Sequence, residues 1–276
     1  NGKGSTSAML AAALGAAGLR VGLYTSPHLL HFRERIRIDG APISEAALDA
    51  SMQRLWAAGD FVREPAQLSY FETATALAFD AFAHAGVEIA VVEVGLGGRL
   101  DATNVGGKDL RAAVISRVAQ DHASFLGRDL GAIAREKGAI ARAGRPLVLG
   151  PQRPEAREAL VALARDVGAE LVDVETETSL IPTPQGLAYR GPRWELQGIR
   201  LGLLGPHQIE NARLALATLE RMDVAPEAAR QGLAEARWPG RLQVVSEAPL
   251  TVVDGAHNPD AAAALAAAWR ELWPDR

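Results

Sequence analysis

The chain opens Asn1-Gly2-Lys3-Gly4-Ser5-Thr6 and runs through Ala8, Met9 and Leu10 into an alanine-rich stretch. Those six residues decide the fold, because they carry the chemistry of half a phosphate loop at the head of a helix. Glycines let backbone N–H groups turn toward phosphate oxygens, Lys3 supplies a compact charge, and a hydroxyl from Ser5 or Thr6 can reach a magnesium ion. The upstream glycine and strand of G-x-x-x-x-G-K-[ST] are not in the sequence, and Gly4 separates Lys3 from the first hydroxyl. An ordinary glycine-rich turn capped by Ser5 is the plainer alternative.

Outward from the loop, the pattern alternates. The helix from Ser5 is expected to end at Gly18, and residues 19–25 read as a strand that Ser26-Pro27-His28 closes. The charged, Ile-bearing stretch 33–39 is a strand or ribbon, and Ser44 caps a helix reaching Trp56. Ser69-x-x-Glu72 fits a capping box for a helix to His84. Residues 87–94 form an apolar run between Gly86 and Gly95, as expected of a parallel strand buried on both faces, and Glu93 near its end is the anomaly. A buried carboxylate must be paired or bound to a metal, so a structural salt bridge and a metal ligand both stand. Strand, helix and strand patterns continue at 112–116, 146–150, 155–167 and 170–174. Residues 176–204, rich in Pro, Gly and Thr, read as a small antiparallel flap. Pro206 opens a helix to Met222, a second runs from Pro226 to Ala236, and Trp238-Pro239-Gly240-Arg241 reads as a linker.

The composition bounds the function. With 276 residues, 48% of them hydrophobic, the chain can bury a substantial core. A net charge of −4 and few aromatics give no footprint for nucleic acid, and no apolar run reaches membrane-spanning length. The absence of cysteine excludes disulfides and thiolate metal sites and points to a cytoplasmic protein. Of the 29 basic residues only Lys3, Lys108 and Lys137 are lysines, against an arginine-rich background. A lysine kept against that bias is expected to do what a guanidinium cannot: act as a point charge or as a modifiable amine.

Taken in order, the motifs resemble those of folylpolyglutamate synthase and dihydrofolate synthase, in the Mur-type ATP-dependent ligase superfamily, over essentially the whole chain. They are the opening loop, Thr25-Ser26-Pro27-His28-Leu29, Phe32-Arg33-Glu34-Arg35, Ser69-Tyr70-Phe71-Glu72, and the run from Glu93 through Arg99-Leu100-Asp101-Ala102 to Asn104. Asp121-His122, Glu136-Lys137-Gly138, His207-Gln208 with Asn211, Pro239-Gly240-Arg241-Leu242 and Asp254-Gly255-Ala256-His257-Asn258-Pro259 complete the set.

The resemblance implies an α/β fold: a P-loop NTPase-like, doubly wound, mostly parallel sheet in residues 1–237 with a small antiparallel flap. A linker at 238–241 and the beginning of a second, Rossmann-like domain at 242–276 follow. The first strand and most of that second domain are missing, so the chain is expected to be truncated at both ends. It implies ATP-dependent transfer of L-glutamate to dihydropteroate or folate through an acyl phosphate. Asn1, Gly2, Lys3, Gly4, Ser5, Thr6, Asn211, Arg241 and Asp254 resemble ATP contacts. Ser5, Ser26, Glu93 and His122 resemble Mg²⁺ ligands; the oxygen donors of the first three suit that hard cation, whereas His122 is a less usual partner. Lys137 resembles a carbamylated lysine, whose carbamate can hold a metal where an ammonium cannot, and His257 an aid to phosphate positioning. Ser69, Tyr70, Phe71, Glu72, Leu100, Asp101 and Ala102 resemble the pteroate-binding segments, in a form similar to that of bifunctional bacterial enzymes. Another Mur-type ligase and a non-catalytic ATP-binding fragment are the alternatives. A monomer is the simplest oligomeric state.

Overall fold

A computed structural model describes residues 1–58, 68–119 and 129–275. Helix α1, Lys3–Ala16, starts directly behind the opening loop. It stops where Gly18, at φ +84°, turns the chain so that Gly18 N and Leu19 N close on the Gly15 and Leu14 carbonyls. Beneath it lies β1, Val21–Tyr24, parallel to β4, Ile89–Val92, and antiparallel to β2, Ile36–Ile38. A short β3, Ala41–Pro42, completes the order β3-β2-β1-β4. Period-two alternation assigns the faces of β1: Val21 joins the core under α1, whereas Tyr24 joins the core of α3, Tyr70–His84. Before α3 comes α2, Glu45–Ala58, which Ser44 caps through the Ala47 N–H and which Arg54 ties to Asp80 of α3.

A second sheet holds β5, Ala113–Ile115, β6, Pro146–Leu149, and β7, Glu170–Asp173, all parallel. Leu147 and Leu149 face α4, Leu130–Gly138, and α5, Pro154–Val167. Val148 faces the other way, onto Leu214 and Ala217 of α7, His207–Arg221. Helices on both faces of a parallel sheet are the doubly wound arrangement. One helical turn, α6 at Val174–Glu177, precedes the flap. The flap is the antiparallel sheet β8, Ser179–Thr183, β9, Gly186–Arg190, and β10, Glu195–Ile199. Glu220 of α7, 1% exposed, pins it by accepting from Tyr189 Oη (2.8 Å) and from the N–H groups of Arg193 and Trp194 (both 2.6 Å). Burial and that carboxylate together push the Tyr189 phenol far up.

Helix α8, Pro226–Glu235, crosses α1 so closely that a Cβ on Gly232 would overlap the backbone of Ala13. Beyond the linker, β11, Gln243–Glu247, and β12, Leu250–Val253, form a hairpin, and Asn258 caps α9, Pro259–Leu272. Among the described residues no helix is long and apolar enough to cross a membrane.

One expectation needs correction. Residues 87–94 read as a strand buried on both faces, but β4 is short and half-exposed. The cause is a cleft of about 440 Å³ beneath α1, lined by Leu10, Leu14, Val91 and Val114. Among the described residues, β4 pairs only with β1 and β5 only with β6, so each presents an edge to that cleft.

Candidate active site

Gly2 takes φ +89° to open α1, and the side chain of Asn211 fills the space into which a Cβ on Gly2 would project. The backbone nitrogen of Asn1 donates to the Arg117 carbonyl (3.0 Å), and its side-chain amide bonds reciprocally with that of Asn258 (3.4 and 3.0 Å). Ser5 and Thr6 are both buried, yet they diverge. Ser5 accepts from Gln208 Nε2 at 3.3 Å and lines a cavity of about 470 Å³, whereas Thr6 lines the cleft beside β4 and its Oγ1 has no partner among the described residues. Gly4 meets the indole of Trp238, which fixes the linker against the first turn of α1.

The cavity joins the loop to the far side of the linker. Asn1, Gly2 and Ser5 form one wall, Asn211 and Gln208 the floor, and Arg241, Asp254 and His257 the other wall. Asp254 shapes that wall by accepting from Leu242 N (2.9 Å) and Ala256 N (2.8 Å). His257 Nδ1 donates to the Gly255 carbonyl at 2.8 Å, which leaves Nε2 for any further partner. His207 also lines the cavity; burial pushes its pKa down, Asp254 opposes that shift and Arg241 reinforces it.

Glu93 sits at the C-terminal end of β4, 8% exposed. Its Oε2 accepts from Ser26 N at 3.3 Å, and among the described residues it forms no ion pair. Burial raises its pKa, while Lys3, the Ser26 N–H and Arg241 pull it down. A buried carboxylate with no ion pair among the described residues fits a bound divalent ion, and the hydroxyls of Ser5 and Ser26 are of the right donor type. Among the described residues no three His, Asp or Glu side chains converge as a metal site, and His122 lies outside the described residues. Lys3 and Lys137 line one small cavity of about 60 Å³ with Asn1 and Ser116. The neighbouring Glu136 binds Arg99: side chain to Nε at 3.0 Å, carbonyl to N–H at 3.0 Å.

The pteroate-segment residues divide. Ser69 and Glu72 cap α3 reciprocally (2.7 and 3.3 Å), and the Ser69 N–H and hydroxyl hold the Glu72 carboxyl below its usual range. Phe71 packs under Gly95. Asp101 accepts from Leu96 N (2.8 Å), Thr103 N (3.0 Å) and the Thr103 hydroxyl, so its carboxylate folds the loop 95–104, while Leu100 is left 78% exposed. Exposed Tyr70 stands over Arg35 (5.4 Å to the ring centre) and edge-on to Phe32 (6.1 Å). Arg35 Nε donates to His28 Nδ1 at 2.8 Å. His28, Phe32 and Arg35 belong to the motifs but carried no site role from sequence; only their alternation of ring and charge marked them.

Residues 1–219 match the Mur ligase middle domain. The chain belongs to the Mur ligase family. Within that family it groups with the folylpolyglutamate and dihydrofolate synthases. It is 38% identical to the dihydrofolate synthase/folylpolyglutamate synthase of Escherichia coli K12, over 99% of this chain and 62% of that protein. It is 35% identical to the folylpolyglutamate synthase of Lacticaseibacillus casei, over 99% of this chain and 67% of that protein. An FPGS–AMPPCP–folate complex superposes with a TM-score of 0.92 at 35% identity, covering 99% of this chain and 70% of that one. E. coli FolC in complex with DHPP and ADP superposes with a TM-score of 0.89 at 38% identity, covering 100% and 64%. Against these curated relatives and a Haloferax volcanii protein, the chain spans between a third and two thirds of their length. This Mur ligase chain thus brings Asn1, Gly2, Ser5, Asn211, Arg241, Asp254 and His257 together around one cavity. It groups Lys3 with Lys137 around another, and sets Lys3, Thr6 and Glu93 along the cleft beside β4.

Proposed function

We propose that this chain is the nucleotide-binding and carboxylate-activating part of an ATP-dependent ligase that joins L-glutamate to dihydropteroate, to a folate, or to both. The observation that carries the reading is the cavity in which the phosphate-loop wall, Asn1, Gly2 and Ser5, faces Arg241, Asp254 and His257. A nucleoside triphosphate needs N–H donors and cations at its phosphates and polar contacts at its base end, and both walls supply them.

In this scheme the substrate carboxylate oxygen attacks the γ-phosphorus, ADP leaves, and the amine of glutamate then displaces phosphate from the acyl phosphate. Lys3 and the loop N–H groups oppose the charge on the transferred phosphoryl group, as positioning and electrostatics require of such a step. Asn211 holds the base end, and Arg241 and Asp254 reach the nucleotide from beyond the linker. Ser5, Ser26, Glu93 and His122 would hold Mg²⁺, which supplies charge neutralisation at the phosphates. Lys137, carbamylated, would extend that acidic set. Tyr70, Phe32 and Arg35 offer a flat ring and a guanidinium to a pterin and its carboxylate tail, and Phe71, Leu100 and Ala102 would add apolar contacts.

Residues 1–237 then act as the central ligase domain. The linker 238–241 leads into the domain that receives glutamate. We place the protein in the cytoplasm, as a monomer. The test is phosphate release from ATP by the protein carrying this chain: it should require both a pteroate or folate carboxylate and L-glutamate, and yield an amide. Release that needs neither, or ATP binding without any amide, overturns the reading in favour of a different ligase or of an idle nucleotide-binding module.

A further inference from the structure

Gln208 is fully buried, and its amide is shared among three side chains. Nε2 donates to Ser5 Oγ at 3.3 Å and lies 3.2 Å from His207 Nε2, and Oε1 accepts from Asn211 Nδ2 at 2.9 Å. The two amide hydrogens account for the first two contacts, with His207 Nε2 in the acceptor role for this orientation of the amide. Most buried side-chain amides bond to backbone or water. Here every partner is a side chain, and Ser5, His207 and Asn211 all line the nucleotide cavity. Gln208 and Asn211, one turn apart at the start of α7, together touch the phosphate loop at Ser5 and Gly2. Donation into one lone pair of Ser5 Oγ turns its O–H away from Gln208 and confines the O–H and the other lone pair to the two remaining directions.

We propose that Gln208 is a positioning residue that couples Ser5 to Asn211, so that one amide aligns the phosphate end and the base end of the site. This rests on the nucleotide-site reading above. Gln208 touches no reacting atom in the scheme; it acts through the hydroxyl and the amide that it holds. Substitution should therefore appear in how the nucleotide is bound before it appears in any step of the chemistry.

The test is calorimetric binding of ADP across a Mg²⁺ series to the wild type, Gln208→Met, Ser5→Ala and the double variant. Outer hydrogen bonds of this kind commonly govern metal affinity by a factor of about ten. Gln208→Met should raise the Mg²⁺ concentration for half-maximal ADP binding about tenfold, and should add nothing when Ser5 is already alanine. Gln208→Asn, which keeps the polarity but shortens the arm, should shift Mg²⁺ dependence the same way and covers the case in which the Met variant fails to fold. Additive effects in the double variant, or unchanged Mg²⁺ dependence in a folded Gln208 variant, overturn the coupling while leaving the nucleotide site intact. Absence of ADP binding by the wild type overturns the site itself.

Discussion

The side chain of Asn211 occupies the space that a Cβ on Gly2 would need, and Gly2 itself sits at φ +89°. The first turn of α7 is thereby wedged against the head of α1, and the loop is shaped as much by a residue far along the chain as by its own glycines.

Gly2→Ala should therefore cost twice. A left-handed alanine costs roughly 1–2 kcal/mol, and the methyl must also displace the Asn211 amide. ADP affinity should fall by about tenfold or more, with only a modest loss of melting temperature. Calorimetry and a thermal melt on one preparation separate the two effects. Retained affinity would mean that the loop tolerates a different shape.

Local signals in the sequence were legible where the chemistry is local. Ser69 and Glu72 form the capping box that their spacing predicts, and Glu93 is buried, as its place near the end of an apolar run implied. What escaped were convergences between distant segments. Gln208 meets Ser5, 203 residues away, and no period or spacing encodes that contact. The His28, Arg35 and Tyr70 cluster likewise depends on α3 packing beside the chain that follows β1. The cleft that leaves β4 half-exposed depends on strand pairing, which an apolar run alone does not specify. Asp101 also has a local role that its motif did not announce: its carboxylate accepts from Leu96 N and Thr103 N.

Glu93→Gln should leave the fold intact and impair Mg²⁺-dependent nucleotide binding. Burial raises the folded carboxyl above its ordinary value of 4.5, so the unfolded chain ionises first as pH rises. Wild-type stability without metal should thus fall as pH rises from the ordinary carboxyl range through the raised folded value. The Gln variant should lack that contribution. Urea midpoints from pH 4 upward, compared between the two proteins, give the answer, and parallel curves would mean that burial does not perturb Glu93.

The crossing of α1 and α8 carries the phosphate loop, so it links stability to function. Gly232→Ala places a methyl on the Ala13 backbone, and overpacking of this kind costs about 1–3 kcal/mol. We expect a lower melting temperature and weaker ADP binding together, because α1 must shift to relieve the overlap. A stable variant with normal affinity would show that the crossing can open without moving the loop.

Lys137 shares a small cavity with Lys3, while Glu136 is turned to Arg99. If Lys137 is carbamylated, protein equilibrated with ¹³C-bicarbonate should show a carbamate carbon resonance that Lys137→Arg lacks. Since a guanidinium cannot form that carbamate, the variant should also need more Mg²⁺ for ADP binding. A spectrum without the signal at ample CO₂ removes Lys137 from the metal site.

His207 gives the acid-side counterpart. It lies among Gln208, Asp254 and Arg241, and burial holds its pKa below the ordinary 6.5. The unfolded chain therefore binds a proton that the folded chain refuses in the window between 6.5 and the depressed folded value. Above that window both states are neutral and His207 costs nothing. As pH falls through it, stability is lost, and below the folded value the loss levels off. His207→Gln removes the titration, so the stability difference between variant and wild type should be flat above pH 6.5 and shift in favour of the variant on acidification. Denaturant midpoints at pH 8, 6.5 and 5 decide it: a difference that stays constant across all three would mean that His207 protonates as freely in the folded protein as in water.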